Sequence, residues 1–204
     1  MNTANNRRSR KKTQTSSHII ECAMALFRSQ GIERTTMEGI AEKADVAKRT
    51  LYSYFPVKEA IISAFWLSNV EEKTALLPRL LEAYTDTHSR LTAVFLDAAE
   101  GFKREPEFAR IHFCYQFQEI GKQQRSLLEN DFMAFLIAII EAGQNVGELR
   151  HDICKEELAA QIMFNFTAVC LTWFSHPKQS NLDARLRHTV ECFINGAVQR
   201  NAPC

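Results

Sequence analysis

An all-α fold is predicted by three features of the chain: helical spacing of its apolar residues, scarcity of helix breakers, and helix-stop residues at the ends of apolar stripes. Apolar residues make up 46% of the 204 residues, enough for a substantial core, and only 7 Gly and 5 Pro interrupt them. The apolar positions recur at three and four residues, the period of a helix face, and nowhere alternate as in a strand.

The elements follow in order. Ile19, Ala23, Leu26 and Phe27 share one face of a first helix, over about Ser17 to Ser29, and Gly31 follows as a left-handed stop. Thr35 to Glu38 fits a capping box in which Thr35 caps and Glu38 reaches back. Met37, Ile40, Ala41 and Ala44 then stripe a second helix. A short turn at Asp45 and Val46 leads to a third helix from about Ala47 to Tyr54, and Pro56 stops it. A fourth begins near Val57, carries Ile61, Phe65 and Trp66, and breaks at Pro78. Longer helices are expected over about His88–Arg104, from just after Pro106, over Ser126–Asn145, Lys155–Phe174 and Asn181–Arg200. The total is about nine.

The charge is divided unevenly. Residues 1–60 carry 11 Lys and Arg against 6 Asp and Glu, or +5, and residues 61–204 carry 14 against 18, or −4. A basic head on a mildly acidic body means that the head meets the polyanion. Residues 1–16, with Arg7, Arg8, Arg10, Lys11 and Lys12, read as a flexible basic arm, either solvated or adding phosphate or minor-groove contacts. The head proper spans 17–57 and the body 58–204.

Two short helices joined by a tight turn, the second of them basic, form a helix-turn-helix. Leu51 and Phe55 lie four apart and face the core. Lys48, Arg49, Thr50, Tyr52, Ser53 and Tyr54 remain for DNA, and Lys58 opens the next helix, where its charge and the helix end both suit a phosphate. The stretch from Thr36 to Glu59, TMEGIAEKADVAKRTLYSYFPVKE, resembles the signature of the TetR family, and AGQNVGELR at 142–150 is a weaker echo. The resemblance implies that Thr36, Tyr52, Tyr54 and Lys58 touch phosphates and that Lys48, Arg49 and Thr50 face bases or nearby phosphates. Arg49 is the first choice for base reading, because a guanidinium bonds guanine O6 and N7 together. Two positions depart from the pattern: Asp45 stands where Gly is common, and Ala47 where Ser or Thr would cap the helix.

The body is rich in aromatic residues, which either fill a core or line a cavity. The resemblance favours a cavity for a small, largely apolar ligand, with Trp66, Phe102, Phe113, Phe117, Phe135 and Phe166 as lining, and with His112, Tyr115, Gln116 and Asn165 to orient it. Leu182, Leu186, Val190, Phe193, Ile194 and Ala197 form a stripe, as do Leu158, Ile162, Val169 and Trp173. Either stripe packs within the monomer or, as the resemblance implies, meets its twin in a four-helix bundle.

The expected function is a homodimeric, sequence-specific DNA-binding regulator, a repressor released from a palindromic operator by its ligand. In that scheme a ligand among the phenylalanines pushes the fourth helix and spoils the ~34–36 Å spacing of the two heads. The alternatives are a dimeric regulator without a small ligand, controlled by a protein partner or its own level, and a ligand-binding protein that no longer reads DNA. Enzymatic motifs are lacking, so no catalytic residue, cofactor or metal site is expected. No stretch reaches the ~18 uninterrupted apolar residues of a membrane span, and no signal segment opens the chain, so a cytoplasmic location is expected. The six cysteines form no Cys-x-x-Cys pair, and no His is read at zinc-ligand spacing beside them; they read as reduced thiols, with a redox sensor as the minor alternative.

Overall fold

The computed structural model describes residues 3–74, 76–121, 131–176 and 180–197. Among these it contains ten helices and no strand. They divide into two compact units, Met1–Trp66 and Leu67–Cys204.

The first unit holds α1 (Thr3–Gln30), α2 (Met37–Lys43), α3 (Lys48–Tyr54) and the start of α4 (Lys58–Thr74). The buried face of α1 is Ile19, Ile20, Ala23, Met24 and Phe27, while Leu26, expected on that face, is half-buried. Gly31 closes α1 at φ 85°, its N–H bonded to Phe27 O at 3.0 Å. The stretch expected as a flexible arm is helical from Thr3 onward. It contains no Gly or Pro, and extending an existing helix adds one hydrogen bond per residue without a new nucleus.

The capping threonine is Thr36, whose Oγ1 accepts from Gly39 N–H at 3.0 Å. Thr35 is buried instead and donates its hydroxyl to Gly31 O at 2.8 Å, so it holds the preceding turn. Glu38 does not reach back; it lies 3.9 Å from Lys48. Asp45 takes φ 50°, with Val46 N–H bonded to Ala41 O and Asp45 N–H to Glu42 O, the paired bonds of a Schellman turn. Ala47 begins α3 with no side-chain cap, and Leu51 and Phe55 turn inward.

The unit boundary at Trp66 lies beyond the expected one at 57. Ile61 and Ile62 at the start of α4 are fully buried, and the Arg28 guanidinium sits 5.3 Å from the Phe65 ring centre, so the first turns of α4 complete the head.

The second unit holds α5 (Leu77–Ala83), α6 (Thr87–Arg104), α7 (Pro106–Gly121), α8 (Asp131–Asn145), α9 (Lys155–Ser175) and α10 (Leu182–Ala197). Pro78 lies in the first turn of α5, which makes the break a separate short helix and raises the expected count by one. Expected helix positions 126–130 and 198–200 lie outside the described residues.

Helices α6, α8, α9 and α10 share one core. Leu91 and Phe95 of α6, Leu136 and Ile139 of α8, Ile162 of α9, and Leu186 and Val190 of α10 are all fully buried. The corner after α8 is held closely. Gly147 at φ 79° reverses the chain, and Glu148 returns its carboxylate to the Thr87 N–H (2.8 Å) and hydroxyl (2.6 Å). A Cβ on Gly143 would stand 2.2 Å from Thr87 Oγ1, so only glycine lets this carboxylate-hydroxyl contact form. Buried Gln144 donates to Arg150 O and Ile153 O. Buried Arg90 donates to the carbonyls of Tyr84, Leu81 and Thr85, closing the end of α5.

Among the described residues α9 is the one helix long and apolar enough to cross a membrane. It is the central core helix of this unit, packed against α7, α8 and α10.

Candidate functional site

The head presents the outer side of α3. Lys48, Arg49, Tyr52 and Ser53 are exposed, and Thr50 and Tyr54 are half-buried beside the inward Leu51. The first turn of α3 holds no acidic residue, so its free N–H groups and two cations form one positive end. The Lys48–Glu38 pair is exposed on both sides, an interaction worth ~0–1 kcal/mol that a phosphate can replace. Ser53 donates its hydroxyl to Thr50 O at 2.7 Å and keeps its lone pairs outward. Tyr54 tilts against Phe55 with ring centres 6.3 Å apart, so it packs as well as presents a hydroxyl. Thr36 is exposed at the start of α2, with its oxygen already engaged in the cap.

Lys58 stands differently from expectation. Its ammonium donates to Ile32 O at 2.6 Å and Thr35 O at 3.0 Å, which ties the start of α4 to the turn between α1 and α2. Only one of its three donors is left for a phosphate. Sequence spacing cannot show this bond, because it joins residues 23 and 26 positions apart.

In the second unit three of the expected lining residues converge. Phe102 packs edge-on to Phe113 at 5.5 Å and lies 6.1 Å from Phe166. Phe174, Phe95 and Phe132 complete the nest: Phe174 is 5.9 Å from Phe102, while Phe95 and Phe132 are 4.5 and 5.5 Å from Phe166. These three belong to the aromatic set visible in the sequence but were not singled out as lining. Phe135 is buried on α8 and Phe117 is 38% exposed on α7, and neither pairs ring to ring with a described residue. Trp66 falls in the head unit, edge-on to Phe65 at 5.9 Å.

His112 lies against Phe113, and burial pushes its pKa down to about 4, so it is a neutral imidazole at neutral pH. Tyr115 and Gln116 are half-buried on the same helix, whereas Asn165 is exposed on α9 and is no part of this nest.

The α10 stripe does not face outward. Leu182, Leu186, Val190, Phe193 and Ala197 are buried within the single chain, and only Ile194 is partly exposed. On α9, Leu158, Ile162 and Trp173 are likewise buried, with Val169 partly exposed. Helical period alone finds the apolar face but not which neighbour covers it, and here α6 and α9 cover the α10 stripe.

The sequence reading missed two pairs. His18 with Cys22 and His188 with Cys192 bring Nε2 and Sγ to 3.9 and 3.5 Å. The signal was the i, i+4 spacing itself, which puts both side chains on one helix face.

A cap-defined α2, a left-handed turn and a cationic, outward α3 define a helix-turn-helix regulator. Residues 19–65 match the profile described as bacterial regulatory proteins, tetR family. The chain is 30% identical over 174 residues to the probable HTH-type transcriptional regulator ArpR of Pseudomonas putida, covering 78% of this chain and 80% of that protein. It is 20% identical over 189 residues to the HTH-type transcriptional repressor KstR2 of Rhodococcus jostii, covering 91% and 92%. Among solved structures it resembles the TetR-family repressor FadR of Thermus thermophilus in complex with lauroyl-CoA, with TM-score 0.80, 24% identity, and 93% and 98% of the two chains covered. The protein belongs to the TetR family of DNA-binding transcriptional regulators, and is a regulator rather than an enzyme.

Proposed function

We propose that the protein is a cytoplasmic repressor that binds a near-palindromic operator as a homodimer and leaves it when a largely apolar ligand, such as a fatty acyl thioester, enters the aromatic nest. The observation that carries the DNA reading is the outward face of α3, with Lys48 and Arg49 exposed in a first turn without acidic residues. Lys48, Arg49 and Thr50 approach bases or nearby phosphates, while Thr36, Tyr52, Ser53, Tyr54 and the remaining Lys58 donor meet the backbone. Regulators of this family act as dimers. Because the inner stripes are used within one chain, the twin meets the outer faces of α9 and α10, where Phe164 is 50% exposed.

The ligand reading rests on the nest of Phe102, Phe113 and Phe166 and on the neutral His112 beside it. The FadR structures of Thermus thermophilus and Bacillus subtilis hold lauroyl-CoA and stearoyl-CoA, which makes acyl-CoA the first class to try. The rings stand at contact separations of 4.5–6.1 Å, so an acyl chain enters by parting α6, α7 and α9. The ligand releases DNA only if it binds the free protein more tightly than the bound one. Helix α4, Lys58–Thr74, contains the unit boundary at Trp66 and is the segment in which a mutation should first alter that coupling. The closely packed rings equally suit a regulator with no small ligand.

The test is selection of bound sites from random DNA, followed by titration of the complex with acyl-CoAs of graded length. Release with lower ligand affinity for the DNA-bound form is expected. Equal affinities with and without operator would remove the coupling and favour control by a partner or by protein level.

A further inference from the structure

The outer face of α10 carries a chemistry that DNA and ligand binding do not use. His188 Nε2 and Cys192 Sγ lie 3.5 Å apart, one helical turn from each other. A tetrahedral zinc ion holds a nitrogen at ~2.1 Å and a thiolate sulfur at ~2.3 Å, which sets the two ligand atoms roughly 3.6 Å apart. The pair therefore already stands at ligand spacing. Glu191 Oε2 lies 3.8 Å from His188 Nδ1, the other ring nitrogen. A carboxylate there is a charge neighbour on the side of the ring away from Nε2, and a small side-chain rotation brings it to hydrogen-bond distance of Nδ1–H, the outer partner a metal-bound imidazole commonly takes. The His188 side chain is 75% exposed, and Cys192 is an exposed free thiol. The pair on α1 shows the contrast. His18 and Cys22 have the same spacing, but the Cys22 thiol donates to Lys43 O at 3.6 Å and is only partly exposed.

Among the described residues, no group of three or more ligands gathers within one chain, so His188 and Cys192 make half a site. We propose that this pair and the same pair from a second copy, meeting across the dimer two-fold, bind one zinc-like divalent cation and clamp the α10 helices together. The inference rests on the dimer proposed above. The inward face of α10 is occupied by Leu186 and Val190, so the face left for a twin is the one bearing His188 and Cys192. One turn to either side stand Ala184 and Gly196, both exposed and small enough for close helix approach. A two-fold axis sets a residue near it beside its own copy, which turns two ligands into four. As the sulfur–metal bond forms, the thiol proton passes to solvent and no electron is transferred.

The experiment uses the full chain, reduced and stripped of metal with a chelator, then titrated with Co²⁺ alone. Tetrahedral cobalt bands with thiolate charge transfer are expected, saturating at one ion per two chains and bleached by Zn²⁺. Cys192→Ser and His188→Ala should abolish them, and Cys22→Ser should leave them intact. No thiolate band, a band indifferent to Cys192→Ser, or saturation at one ion per chain would overturn the shared site. Sedimentation in chelator separates the two readings. A dimer that takes up no cobalt sinks the metal site alone, and a chain that stays monomeric with or without metal sinks the dimer as well.

Discussion

The two units put their candidate functional residues on opposite sides of their helices. In the head the α3 side chains proposed to meet DNA point outward, and the buried Leu51 and Phe55 serve only to hold α3 in place. In the body the aromatic groups proposed to bind ligand are themselves the core, with Phe102 and Phe166 both buried. A head of this kind can lose a contact residue and stay folded. A body of this kind cannot lose one of these residues without losing stability, because the proposed binding and the packing use the same rings.

The sharpest way to break that contrast is Phe102→Ala. It removes a ring that meets Phe113, Phe166 and Phe174, and truncation of a buried Phe costs about 3–5 kcal/mol. Thermal unfolding should shift strongly while operator affinity without ligand, below the transition, stays unchanged; a parallel loss of DNA binding would mean that packing of the nest itself, and not only a ligand in it, controls DNA binding. His112 offers a gentler probe of the same core. Its pKa falls from 6.5 to about 4 on folding, so the folded state binds fewer protons. Its contribution to stability is present above pH 6.5 and is lost as the pH falls toward 4, with a limiting slope of about 1.4 kcal/mol per pH unit. Denaturant titrations across that window should show the decline, and His112→Leu should flatten it.

Lys58 sharpens the contrast from the other side, because it is a head residue that works inward. Lys58→Met removes two charge-assisted bonds to Ile32 O and Thr35 O, each of a class worth ~1.5–3 kcal/mol, and leaves two half-buried carbonyls to find water. We expect a lowered unfolding midpoint of the head together with weaker binding to every DNA sequence. Weaker binding with unchanged stability would restore Lys58 to a pure phosphate contact. Arg49→Ala should do the reverse: unchanged unfolding, and specificity relaxed at particular bases by ~1–3 kcal/mol. Equal weakening on all sequences would place Arg49 on the backbone instead.

The same division decides what the sequence could show. In the head three of the buried residues of α1 (Ile19, Ala23 and Phe27), the stop at Gly31, the left-handed Asp45 and the inward pair Leu51 and Phe55 were legible, because each follows from spacing or from one residue's backbone preference. The capping threonine was misplaced by one position because Thr35 and Thr36 are chemically alike, and only burial separates them. In the body the helices were legible and their partners were not. The α10 stripe has the right period for a dimer seam, yet α6 and α9 lie against it, a fact of tertiary packing with no local signature. Phe174 and Phe95 joined the nest, and Phe117 did not, for the same reason.

The smallest effect tests whether the head is tuned for stability at all. Ala47 starts α3 at φ −61° and ψ 143°, the extended geometry of a capping residue, but offers no side-chain acceptor to the helix. The N–H groups of the first turn therefore depend on water or on DNA phosphate. Ala47 is exposed, so a hydroxyl fits there without a clash. Ala47→Ser should stabilise the head by ~0.5–2 kcal/mol through a bond to one of those groups. Its effect on DNA then separates two roles for the free helix end. If phosphates use those N–H groups directly, the new serine competes with them, and affinity stays level or falls despite the gain in stability. If the cap only orders the helix, affinity rises with stability. No change in the unfolding midpoint would mean that the first turn of α3 is already satisfied and that the missing cap costs the head nothing.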